Sequence, residues 1–180
     1  SMDNYYVSKL IPLMAESGVA AIANPLINIT IQGRHDTYPK RRGMTRVPEL
    51  MAAGVPVAFG HDCVMDPWYS MGSGDMLDVA TMALHVGQMT GLDAMRACFQ
   101  SVTETPAKIL HLDGYGLAPG CYADLVLLDA GDPIEAIRLK AARLKVLRRG
   151  RVVAEGPGGA MRLDLPHRPP EITFRHKLQS

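Results

Sequence analysis

Cysteine is scarce in this chain. Its 180 residues include three, Cys63, Cys98 and Cys121, and no two of them form a CxxC pair. An odd, widely spaced set excludes a disulfide framework and a zinc knuckle. Free thiols suit a reducing compartment, so the cytoplasm is the expected location. Long apolar runs are also missing. Nothing approaches the roughly 20 residues of a membrane-spanning helix, and no signal-peptide pattern is present, so no membrane partner is expected. Nor is there a charge excess of one sign. Nineteen Lys and Arg stand against 18 Asp and Glu, for a net charge of +1. That balance points away from a nucleic-acid partner. The cluster Lys40-Arg41-Arg42 is short and reads as a solvated loop. Six histidines (His35, His61, His85, His111, His167 and His176) show no His-x-His pair and no Cys at ligand spacing, so no complete metal centre is readable here.

The chain is organised around Val57-Ala58-Phe59-Gly60-His61-Asp62. Val55 to Phe59 is a short apolar run that stops at a glycine, the pattern of a strand buried on both faces in a parallel α/β sheet. A carboxylate just beyond such a strand lies where α/β barrels place their chemistry. A turn cap, or a partner for a nearby arginine, is the plainer reading of Asp62. His61, the neighbour of Asp62, points to the opposite face and is expected to meet a helix or a loop.

Around that stretch the pattern is helix, strand, loop, helix, strand, the arithmetic of βα units. Tyr6, Leu10, Leu13 and Met14 recur at helical spacing, Pro12 should kink or break that helix, and Gly18 should cap it. Val19–Ala23 reads as a short buried strand ended by Asn24-Pro25. A long loop is then expected to about Gly43. Thr45 is a candidate N-cap for a helix running to Gly54. After the loop Cys63–Gly74, Asp75 should cap a helix, Asp93 the next, and Thr105-Pro106 a third. Character changes at Gly114. Ala123–Asp129 reads as a strand, and Arg149-Gly150 as a tight hairpin between Lys145–Arg148 and Arg151–Ala154. Gly and Pro density from Gly156 onward suggests an extended tail.

Phe59-Gly60-His61-Asp62 with Asp66-Pro67-Trp68-Tyr69 resembles the last barrel strand and loop of cytosine deaminases in the metal-dependent amidohydrolase superfamily. Asn24–Ile29 and Gln32–Gly43 resemble the preceding loop of that family. The Gly-Cys-Tyr-Ala-Asp-Leu-Val segment and the Gly-Arg-Val-Val hairpin resemble the small β domain common across the superfamily. The resemblance runs from about Tyr5 to Glu155. It implies an α/β fold: the C-terminal part of a (β/α)8 TIM-like barrel, its last two βα units, plus part of the small flanking β domain. The expected division is barrel part over 1–113, β domain over 114–156 and tail over 157–180.

The resemblance implies deamination of cytosine to uracil and ammonia by metal-hydroxide attack on C4. A divalent metal, iron or zinc, would lower the pKa of its bound water to about 7. Asp62 would be both metal ligand and proton acceptor, with the remaining ligands outside this chain. Trp68 would line the substrate pocket by stacking on the flat base, unless it is a loop residue tucked into the core. Cys63 would border C5 of the pyrimidine. The family's better-known members carry a second aspartate there, so a related base such as 5-methylcytosine or isoguanine is an alternative substrate. A truncated, non-catalytic chain is the competing reading. The 180 residues alone are expected to be inactive, and to form a homo-oligomer or associate with the missing N-terminal part.

Overall fold

The computed structural model describes residues 2–40, 43–157, 161–162, 167 and 171–172. It divides into two compact units, residues 1–113 and 114–180.

The first unit opens with α1 (Asn4–Ser17), whose N-cap Asp3 accepts from the Tyr5 and Tyr6 N–H groups and whose C-cap is the left-handed Gly18. Pro12 does not break the helix as its sequence position suggests. It lies on the exposed side, as does Ser8, so the carbonyl left without a partner faces water, while Val7 and Ile11 hold the buried side. Strand β1 (Ala21–Ala23) follows, then α2 (Pro25–Ile31), α3 (Val47–Ala52) and strand β2 (Val57–Phe59). Three further helices complete the unit: α4 (Met76–Val86), α5 (Leu92–Gln100) and α6 (Glu104–Ile109).

Strands β1 and β2 are parallel, with Ala21 opposite Val57, Ile22 opposite Ala58 and Ala23 opposite Phe59. β2 is buried throughout and packs among the helices, together with Val79, Ala80 and Cys98, which are fully enclosed. Its outer edge is met by the Ser101 carbonyl, which accepts the Phe59 N–H at 2.8 Å. β1 departs from the expectation of a strand buried along its length. Only Ala23 is buried; Ile22 is 59% exposed and Val19 51%.

Several boundaries differ from the sequence reading for local reasons. Asn24-Pro25 opens α2 instead of a structureless loop, because proline suits the first helical position and Leu26 and Ile27 are buried behind it. Arg46, not Thr45, occupies the N-cap position of α3 and pairs with Glu49 at 2.7 Å. Asp75 does cap α4, accepting the Leu77 N–H at 2.7 Å. Asp93 does not cap α5. Gly91 holds that position, and Asp93 lies in the first turn with Arg96. Helix α6 begins at Glu104 after Thr103, whose hydroxyl donates back to the Phe99 carbonyl.

The second unit is built on an antiparallel sheet, β3 (Leu125–Leu128), β4 (Arg143–Arg148) and β5 (Arg151–Glu155), in that order. Arg149 and Gly150 both have positive φ, as the tight hairpin between β4 and β5 requires. Asp124 fixes that turn by accepting the Arg149 N–H and pairing with Arg148. Between β3 and β4 lies α7 (Pro133–Leu139), capped by Asp132. The extended tail expected over 157–180 lies largely outside the described residues. What is described there is a short antiparallel pair, β6 (Met161–Arg162) and β7 (Glu171–Ile172). Arg41 and Arg42 of the basic cluster also lie outside the described residues.

Candidate active site

The parallel register brings the ends of β1 and β2 side by side. The Gly60 N–H donates to the Ala23 carbonyl at 2.9 Å, so the next residues on each strand, Asn24 and Gly60, leave the sheet together. Asp62 follows two residues later, in the left-handed region with φ 64°. Among ordinary residues Asp and Asn enter that region most readily, because their short polar side chains bond locally. The Asp62 side chain is exposed, and both its oxygens are engaged. Asn24 Nδ2 donates to Oδ2 at 3.1 Å, and the Cys63 thiol approaches Oδ1 at 3.5 Å.

His61 turns the other way, as strand alternation anticipates. It is buried, with Nδ1 2.9 Å from the Cys63 carbonyl. A carbonyl only accepts, so Nδ1 carries the proton. Nε2 is buried without a hydrogen-bond partner among the described residues. Gly72 packs against this ring. A Cβ there would fall 2.5 Å from His61 Cε1, and φ of +97° also favours glycine.

Asp66 organises the loop beyond. One of its oxygens accepts both the Trp68 and Tyr69 N–H groups at 2.9 Å, forming a local turn. Tyr69 is buried, whereas Trp68 is 71% exposed and so is not tucked into the core. The buried Cys63 thiol lies between two carboxylates. Hydrogen bonding to Asp66, then burial, then the bond to Asp62 push its pKa up to about 12. The same thiol bond, with the Tyr69 and Trp68 N–H groups, holds Asp66 below the usual carboxylate range. Cys63 is therefore a neutral, apolar-edged group at physiological pH, and it lacks the thiolate that a nucleophile needs.

The structure thus joins two of the sequence-predicted residues, Asp62 and Cys63, and places Trp68 exposed on the same loop. Sequence reasoning missed Asn24 and Asp66. For Asp66, the Asp-Pro-x-Tyr turn was the available signal. For Asn24 it was the position directly after a strand that pairs with β2. As a metal site the described residues are incomplete: no three His, Cys, Asp or Glu side chains among them converge. Asp62 offers one carboxylate, Cys63 keeps its proton, and His61 has committed Nδ1 to a backbone carbonyl.

Cys63 should consequently resist alkylation. At pH 8 iodoacetamide should modify it about 100-fold or more slowly than a free thiol of pKa ~8.5, and Asp66→Asn should restore much of that rate. Peptide mass spectrometry over time reads this directly. Labelling of Cys63 at the rate of a free thiol would contradict the two-carboxylate environment.

The model of the amidohydrolase family matches residues 1–156. A pterin deaminase from Rhizobium rhizogenes is 34% identical over 153 residues, covering 84% of this chain and 35% of that protein. The crystal structure of 5-methylcytosine deaminase from Klebsiella pneumoniae, liganded with 5-fluorocytosine, superposes with a TM-score of 0.85 at 42% identity, over 89% of this chain and 39% of that one. N-isopropylammelide isopropylaminohydrolase from Burkholderia multivorans follows at 0.73 and 31%, over 86% and 36%. The chain therefore spans little more than a third of the length of these relatives. Its mixture of helices with short parallel and antiparallel strands is the fold of their matching part, and by that match the chain belongs to the amidohydrolase family.

Proposed function

We propose that this chain is the C-terminal portion of a metal-dependent deaminase of cytosine-type pyrimidines. Its first unit would supply the last two βα units of a (β/α)8 barrel and its second unit part of the small flanking β domain. The observation that carries this is the exposed Asp62 carboxylate at the shared end of two parallel strands. It is supported by 42% identity to a structure described as a 5-methylcytosine deaminase.

Hydrolytic deamination adds the oxygen of water to C4 and releases the exocyclic amine as ammonia. A carboxylate in reach of that centre can accept the proton that water gives up. Asp62 is the described residue suited to this, and its carboxylate could also serve as a ligand to an iron or zinc ion. The other ligands would come from outside this chain. Trp68, exposed beside the site, offers an aromatic face to a flat base.

A 5-methylated ring is favoured over cytosine by one feature, the neutral and buried thiol of Cys63. A carboxylate at that position would crowd a methyl group on C5 and set it against a charge. No helix among the described residues is long and apolar enough to cross a membrane, and the free cysteines suit the cytoplasm.

Ammonia release from cytosine and 5-methylcytosine tests the reading. The full-length protein should turn over both and the 180-residue chain neither. One methyl group in a pocket is worth about 1–3 kcal/mol, so Cys63→Asp should shift preference toward cytosine roughly 10-fold or more. An unchanged ratio would remove Cys63 from the C5 edge. Ammonia from the isolated chain would overturn the incomplete-site reading.

The exposed Tyr6, Leu13, Val19 and Ile22 leave α1 and the free edge of β1 as apolar surface. The isolated chain should therefore self-associate, or bind the N-terminal part when that is supplied. Light scattering should give a mass above one chain. A stable monomer without dye-binding apolar surface would contradict this.

A further inference from the structure

Asn24 stands at the N-cap position of α2. There an asparagine ordinarily turns its side-chain oxygen onto the N–H groups of the first helical turn. Here it makes no such bond. Its amide is directed across the strand pair instead, and Nδ2 donates to Asp62 Oδ2 at 3.1 Å. Helix α2 has given up its side-chain cap, and the group that would have made it is spent on a carboxylate 38 residues away.

Gly60 points to the same use of space. Its backbone is not among the positive-φ glycines, so conformation does not demand glycine there. Space does. A Cβ on residue 60 would lie 2.3 Å from Asn24 Oδ1 and 3.2 Å from Ile22 Cγ2. The missing side chain leaves the channel through which the Asn24 amide reaches Asp62.

Asp62 needs such a hold. It is exposed, it sits at φ 64°, and among the described residues its other oxygen meets a weak thiol donor. An amide on Oδ2 fixes the plane of the carboxylate and leaves Oδ1, with its weaker partner, as the oxygen that can turn to a reacting centre. We infer that Asn24 is a positioning residue for the Asp62 carboxylate, with Gly60 making room for it. The inference rests on the deaminase reading given above.

Three variants of the full-length protein test it: Asn24→Ser, Asn24→Asp and Gly60→Ala. Serine and aspartate are both good N-caps, so either preserves α2 if capping is the role of this position. Serine is one bond too short to reach Asp62, and aspartate sets like charge against it. Misplacing a reacting group by about 1 Å can cost 100-fold, so kcat for ammonia release should fall about 10- to 100-fold in all three, with KM close to the unaltered protein. Unaltered kcat in Asn24→Ser and Asn24→Asp would overturn the assignment while leaving the deaminase reading intact. If the unaltered full-length protein releases no ammonia, the deaminase reading fails by itself. A crystal structure of Asn24→Ser in the full-length protein then decides the positioning role. An Asp62 carboxylate turned from its place, or a backbone relaxed out of the left-handed region, supports it. An unmoved Asp62 overturns it.

Discussion

The parallel pairing of Ala21–Ala23 with Val57–Phe59 is the constraint on which the site depends. Parallel strands leave a sheet at the same end, so whatever follows each strand is brought together there. One strand is followed by Asn24 and the other by Gly60, His61 and Asp62. The pairing is short and lopsided. β2 is buried on both faces among helices, whereas β1 presents Ile22 to solvent and has a free edge. The first unit therefore has a finished side and an open one, and the site lies at the strand ends.

Beyond the strands the chain is tied by local hydrogen bonds around buried His61, Cys63 and Tyr69. His61 and Cys63 bond to each other across Asp62, one through a ring nitrogen and the other through its carbonyl, which fixes the peptide on either side of the exposed carboxylate. Asp66 then ties Trp68 and Tyr69 into a turn and shares the Cys63 thiol with Asp62. Two carboxylates close to one thiol keep it protonated. The Cys63 thiol thus lies, neutral, beside the exposed Asp62 carboxylate.

Much of this was readable from local chemistry. The apolar run ending in Gly60-His61-Asp62, the Gly18 and Asp75 caps and the Arg149-Gly150 hairpin each follow from a residue type doing at short range what it does elsewhere. Where the reading failed, two local rules competed. Asn24-Pro25 can end a strand or begin a helix, and the burial of Leu26 and Ile27 decided for the helix. Pro12 breaks a helix only where its lost hydrogen bond matters, and on an exposed side it does not. The position of Asn24 after a strand was legible, but its bond to Asp62 was not. It depends on register between two strands far apart in sequence, and no local pattern encodes it.

The central claim is that Asp62 is a reacting carboxylate and not a turn cap. Turnover of Asp62→Asn in the full-length protein tests it most directly. The amide keeps the size and the taste for a left-handed backbone but cannot take a proton and is a poorer ligand. Ammonia release from 5-methylcytosine should be abolished while the folded structure is retained. Near-normal turnover by Asp62→Asn would show that the carboxylate only shapes the turn.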